Sequence, residues 1–194
     1  LTNQESNGAI SNTFIGSTAG GSNTTGADNT AVGKNALFTN SSGASNTAIG
    51  SQAMFSNTQG VSNFAGGFLA MYTNATGSSN VAIGNQTLFL NNSGSSNTAV
   101  GAEAASFSMS GSNNTILGFR ALQTATTASF STAIGANSLL NTLNGGNTAL
   151  GHAAGGGFAN GTNSTFLGYN VDASAAGYSN STAIGYNSRV TASN

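Results

Sequence analysis

The chain contains no cysteine, proline or tryptophan, and only seven of its 194 residues carry a formal charge: Lys34, Arg120, Arg189, Glu5, Asp28, Glu103 and Asp172. Each shortage removes a class of protein. Without cysteine there is no disulfide framework and no thiolate metal site. A net charge of −1 supplies no electrostatic footprint for nucleic acid or anionic lipid. No apolar run reaches the 18 residues that would suggest a membrane-spanning helix, and no signal peptide stands in this stretch.

What is present is monotonous. Gly, Ala, Ser, Asn and Thr make up 138 of the 194 residues, and Leu, Ile, Val and Phe together only 36. So small an aliphatic and aromatic share argues for disorder when net charge is high, and here it is not. Low complexity with regular spacing points instead to a repeat.

The pattern Asn-Thr-Ala-(Ile/Val)-Gly recurs with its glycine at Gly16, Gly33, Gly50, Gly67, Gly84, Gly101, Gly118, Gly135, Gly151, Gly168 and Gly185. Successive spacings are 17, except for 16 between Gly135 and Gly151. A second glycine usually follows ten residues later, as at Gly26, Gly43, Gly60, Gly77, Gly94, Gly111, Gly145 and Gly161. Such a unit is too short for a helix pair, and no 3.6-residue apolar period runs through it. Two glycine-marked turns leave room for two short strands. The expected fold is all-β, a parallel β-solenoid of about eleven 17-residue coils, one domain over residues 1–194. At about 4.8 Å per coil the rod is roughly 50 Å long.

Columns of the repeat carry the next inference, with the first glycine as position 0. Position −1 reads Ile15, Val32, Ile49, Gly66, Ile83, Val100, Leu117, Ile134, Leu150, Leu167 and Ile184. Its apolar character predicts that it faces the coil interior. Strand parity then places position −3, Thr in nine repeats, on the same inner side, and the mostly Ala position −2 on the outside. In a second strand, position +4 (Leu37, Met54, Met71, Leu88, Ala105, Leu122, Leu139) and position +5 (Phe38, Phe55, Tyr72, Phe89) are both apolar. Adjacent strand residues face opposite ways, so one row fills the coil. The other, Phe38, Phe55, Tyr72 and Phe89, is the candidate oligomer interface, because an uncovered aromatic row is a sticky patch.

The segments Asn46-Thr-Ala-Ile-Gly50, Asn97-Thr-Ala-Val-Gly101 and Ser181-Thr-Ala-Ile-Gly185 resemble the YadA-like head repeats of trimeric autotransporter adhesins. The longer unit from Ser45 to Gly60 is similar to related repeats of bacterial surface fibres and phage tail fibres, and the resemblance runs from about Asn12 to the C-terminus. It implies a left-handed parallel β-roll, three chains side by side as a homotrimer, and adhesion or receptor binding. It also implies an extracellular place, on a bacterial surface or a virion tail fibre, and that the chain is a piece of a longer fibre. The sequence departs from the pattern at Phe64-Ala-Gly-Gly67, at Gly155-Gly-Gly157, and at Thr124 to Ser129, which lacks the second glycine.

Chemistry-bearing residues are sparse. The four carboxylates fall in different coils, with Glu103 and Asp172 four coils, or about 19 Å, apart, so no acid–base pair is expected. His152 follows a repeat glycine at a variable turn position and reads as a solvated turn residue rather than a member of a catalytic triad. Calcium-binding solenoids repeat Asp in every coil; Asp28 and Asp172 do not. Glycines 155–157 lack the Lys-Ser/Thr of a phosphate loop. No catalytic residue, metal site or cofactor is expected.

Asn recurs at position −4 from Asn12 through Asn114 and again at Asn147. It reads as a stacked ladder rather than an exposed amide row for sugars. Pattern-breaking residues with aromatic or charged reach are the candidates for ligand contact: Phe119, Arg120, Phe158, Tyr169, Tyr178 and Tyr186, with Phe68 beside them. The expected partners are copies of the chain and a glycan or protein receptor on a cell surface, with no nucleic acid and no direct insertion into a membrane. Function is thus expected to be attachment, or rigid spacing of a binder. A monomeric solenoid with a flat face, such as an ice-binding domain, is the alternative. It requires the Thr column to face water, against the parity above. A glycan depolymerase is a third, weaker option.

Overall fold

The computed structural model describes residues 11–107, 109–158, 160–174 and 177–191. Eleven three-residue strands, from Thr13–Ile15 to Thr182–Ile184, form one parallel sheet, each strand paired to the next coil's. The register matches equivalent residues, Thr30 with Thr47 and Ala31 with Ala48, and the shorter spacing keeps it, Thr132 pairing with Thr148. The chain is a parallel β-solenoid of about ten turns.

The second strand is intermittent. Among the described residues only Ser56–Asn57 with Thr73–Asn74, and Asp172–Ala173 with Arg189–Val190, pair as strands on that side, with isolated bridges such as Thr39 to Ser56. Positions +4 and +5 lie for most coils in a turn instead. Leu37, Met54, Met71, Leu88, Leu122 and Leu139 sit there at φ between 47° and 52°. A left-handed backbone costs a side chain roughly 1–2 kcal/mol. Burial of a Leu or Met returns about 1.5–3 kcal/mol, and all six are fully buried, so burial prevails.

The parity expected from the sequence is inverted. Ala31, Ala48, Ala65, Ala82, Ala99, Ala133 and Ala149 at position −2 are completely buried, whereas Ile49, Ile83, Leu117, Leu150 and Ile184 at position −1 are exposed. The Thr column goes outside with them, as at Thr98, Thr115 and Thr148. The reason is volume. A 17-residue coil is narrow, and the Leu or Met at position +4 already fills it, leaving space for a methyl group on the sheet side. Where the sheet supplies Phe14 or Phe166, the facing turn has Gly20 or Gly155; a Cβ there would lie 2.3 Å from the Phe14 ring or 3.0 Å from that of Phe166. The core trades side chains at nearly constant volume.

The repeat glycine answers two constraints at once. At Gly101, φ is +134°, and a Cβ would stand 2.5 Å from the carbonyl oxygen of Gly118 in the next coil. The Asn column at position −4 is a buried ladder, as expected. Asn29 Oδ1 accepts the backbone N–H of Asn46 at 2.9 Å, and Asn29 Nδ2 donates to Gly43 O at 2.9 Å. A second ladder, unforeseen, runs through Asn23, Asn40, Asn57, Asn74 and Asn91, each Nδ2 donating to the previous Oδ1 at 2.6–2.8 Å.

Candidate functional site

Three surfaces bear on function, and two of them contain expected site residues. The first is the outer face of the long sheet. Because side chains alternate along a strand, this face presents two columns, Thr at −3 and an aliphatic residue at −1. Ile83 is 43% exposed and Leu117 48%. The face is interrupted at Phe64 and Gly66, where the Phe64 ring covers the glycine: a Cβ on Gly66 would meet it at 3.2 Å. Eleven strands at about 4.8 Å make a stripe near 50 Å long and, at three residues per strand, about 10 Å wide.

The second surface is the aromatic row. Phe38, Phe55, Tyr72 and Phe89 stack in sequence with centroids 5.1–5.3 Å apart and interplanar angles of 8–24°. Each ring is half-buried. Offset stacking of this kind is favourable in itself, and it occupies the ring faces, leaving mainly edges for anything else. The row thus satisfies much of its apolar surface within one chain. Below Phe38 the series ends at Gly21, where a Cβ would come within 2.7 Å of the Phe38 ring.

The third surface is the corner at position +1, immediately after the repeat glycine. Here Phe119, Ala136, His152, Tyr169 and Tyr186 follow one another, one per coil. The column is held by backbone bonds at the next position: Asn137 N–H donates to Phe119 O, Ala153 N–H to Ala136 O and Asn170 N–H to His152 O, at 2.8–2.9 Å. His152 stacks on Tyr169 with centroids 5.2 Å apart, and Tyr169 on Tyr186 at 5.7 Å. Tyr186 is 77% exposed. Phe119 carries the Arg120 guanidinium over its ring, Cζ lying 4.8 Å from the centroid. Arg120 Nε in turn donates to Glu103 Oε2 at 2.8 Å, and Gln123 Nε2 donates to the same oxygen at 2.9 Å.

Two sequence candidates do not belong to any surface cluster. Phe158 is fully buried and packs on Phe166 at 4.8 Å, so it is a core residue and not a ligand contact. The same position holds Asn40, Asn57, Asn74 and Asn91 of the buried ladder in earlier coils, and in this coil the apolar ring takes that space. Tyr178 is half-buried and packed against the core. Sequence reasoning set His152 aside as a solvated turn residue. The structure keeps it at an exposed turn position and adds a stack on Tyr169, at one end of the His152–Tyr169–Tyr186 series, a place readable from its sharing a column with the two tyrosines. Glu103 and Gln123 were missed: Glu103 shares position +2 with Arg120 one coil earlier, a pairing that counting could have found, and the Gln123 amide bonds to Glu103 across coils.

Among the described residues no group of three or more His, Asp or Glu side chains gathers around a common point, and no helix is long and apolar enough to cross a membrane. Asp172 is engaged by the backbone, its Oδ2 accepting the N–H of Gly157 at 2.9 Å. The groups these surfaces present are aromatic faces, the Arg120–Glu103 ion pair, amides and hydroxyls. Comparison of the chain with protein-family models, with curated proteins and with solved structures returns no match.

Proposed function

We propose that the chain is a non-enzymatic segment of an extracellular homotrimeric fibre of the YadA-like kind, which attaches to a cell-surface receptor or holds a binder rigidly away from its base. In this reading the coils wind left-handed and three of them run side by side. The observation that carries it is the outward-facing Thr and aliphatic stripe on the long sheet. Its projected area is about 500 Å² at the spacings given above, shared between the Thr and aliphatic columns, and an exposed apolar column running along one face marks an interaction surface. Packing three such faces together removes them from water, and the interface moves from the self-stacked Phe38–Phe89 row to the sheet. Attachment then works by many weak contacts made three at a time.

Molar mass by light scattering after size exclusion tests the assembly. A mass near three times 18.9 kDa is expected, with Ile83→Asp plus Leu117→Asp giving monomer and Phe55→Asp leaving the trimer intact. A monomeric wild type overturns it.

One observation favours a second reading. The Thr column faces water, which the ice-binding alternative requires. The column is broken by Phe64 and Val81, and its neighbour mixes Ile, Val, Leu and Gly, so the face lacks the even relief that suits a crystal plane. Thermal hysteresis of the purified chain decides between the two.

A further inference from the structure

Phe119 and His152 stand two coils apart on the corner column, with only Ala136 between them. At about 4.8 Å per coil the two rings are roughly 9.6 Å apart. A single six-membered ring placed midway sits about 4.8 Å from each, within the range of about 4.5–7 Å at which rings pack on one another. Elsewhere on the molecule neighbouring aromatic rings follow in successive coils and cover each other, as Phe55 and Tyr72 do at 5.1 Å. Here one rung is missing, and a methyl group floors the gap.

Both walls are braced from behind. His152 has Tyr169 against its far side, and Tyr169 has Tyr186. Arg120 lies over the Phe119 ring and bonds to Glu103 in the preceding coil. The guanidinium therefore sits on the side away from Ala136, and the opposite ring face opens into the gap. Glu103, bonded to both Arg120 and Gln123, belongs to the coil before Phe119, so this polar group backs the Phe119 wall and does not line the gap. The Arg120–Glu103 pair is the one ion pair found among the described residues, and it is internally neutral, so nothing here selects a charged ligand.

We infer that the Phe119–Ala136–His152 gap is a binding slot for one pyranose ring of a neutral glycan, sandwiched between the two aromatic walls. The inference rests on the attachment reading and specifies its receptor chemistry. Three slots on a trimer would give the avidity that a shallow single-ring site needs.

The test is titration of the intact chain with chitohexaose, laminarihexaose and mannohexaose, followed by NMR shifts of the His152 and Tyr169 ring protons. At least one oligosaccharide is expected to move them at millimolar concentration. Phe119→Ala should weaken that binding about tenfold or more. Ala136→Phe, which restores the missing rung, should abolish it while leaving thermal stability unchanged or raised. Phe55→Ala, in the other row, should leave it as it was. If no oligosaccharide shifts these rings, or if Phe119→Ala and Ala136→Phe bind as wild type does, the slot is wrong. The trimer is judged separately by the molar mass, so a trimer with no sugar response removes the slot and leaves the fibre.

Discussion

The coils before Gly118 and those after it share one period but fill the same interior column differently. At position +7 the earlier coils carry Asn23, Asn40, Asn57, Asn74 and Asn91, bonded rung to rung. In the later coils that column holds Ala125, Thr142 and Phe158, all fully buried. At position −4 the change is partial: Ser131, Ser164 and Ser181 stand in place of Asn, which returns at Asn147. An amide ladder works only if each neighbour is identical and in register, so it enforces regular coils. An apolar filling asks only for volume. That freedom lets the later coils absorb a 16-residue repeat and a triple glycine, and it is there that Phe119, Arg120, His152, Tyr169 and Tyr186 decorate the corner. Regularity in one half underwrites variety in the other.

The largest loss of stability is expected at the repeat glycine, which both regions need wherever another coil stacks on top. Gly101→Ala places a Cβ 2.5 Å from the Gly118 carbonyl at φ +134°, and backbone on a neighbouring coil has nowhere to go. A loss of more than about 4 kcal/mol in urea unfolding is expected. Gly185→Ala, at φ +110° with its nearest neighbour 4.0 Å away, should cost only the backbone strain, on the order of 1–3 kcal/mol. Equal losses at the two sites would mean that φ alone, and not coil stacking, fixes the glycine column.

These glycines explain why the fold was legible and its inside was not. A glycine every seventeenth residue announces a stacked close approach whatever the other side chains do. Deciding which strand face is inner needs the cross-section, and apolar character pointed the wrong way: Ile83 and Leu117 looked like core and Ala82 did not. The better signal was constancy of size. An Ala column broken only by Phe14, Ile116 and Phe166, with glycine near the two Phe residues at Gly20 and Gly155, is what a narrow interior of fixed volume writes into a sequence. The corner site was half-legible for a related reason. Tyr169 and Tyr186 share a column by simple counting, and Glu103 and Arg120, also 17 apart, share another. But that the guanidinium lies over Phe119 is a matter of side-chain placement, and the gap depends on an alanine, which draws no notice in a chain with so many.

A milder test compares the two kinds of rung in adjacent coils. Asn114 Oδ1 accepts Ser131 N–H at 2.9 Å, and its Nδ2 donates to Asn97 Oδ1 at 2.9 Å and to Ala128 O at 2.8 Å. Asn114→Ala strands a buried N–H and a buried carbonyl, at about 1–3 kcal/mol each. Ser131 offers its neighbour less, its Oγ accepting Asn147 N–H at 3.3 Å. Ser131→Ala should cost at most about 1 kcal/mol, and hydrogen exchange at Asn147 should quicken less than exchange at Ser131 does in Asn114→Ala. The reverse order would show that the later coils depend on their serines as heavily as the earlier ones on their amides.

The smallest expected effect on stability sharpens the comparison most. Arg120 and Glu103 form an ion pair whose side chains are 46% and 29% exposed, and such surface pairs are worth about 0–1 kcal/mol. Arg120→Ala should therefore lower the melting temperature by no more than about 2–4 °C, the shift expected for 1 kcal/mol in a chain of this size. It should nonetheless weaken oligosaccharide binding at the corner, because the Phe119 ring loses the group lying over its outer face and gains rotameric freedom. Phe55→Ala should do the opposite, lowering stability through the lost stack and leaving binding alone. That crossed pattern is the expected signature of a molecule in which one aromatic row is spent on holding coils together and the other, missing a rung, is left open. A matched pair of stability losses with binding unmoved would instead make both rows structural.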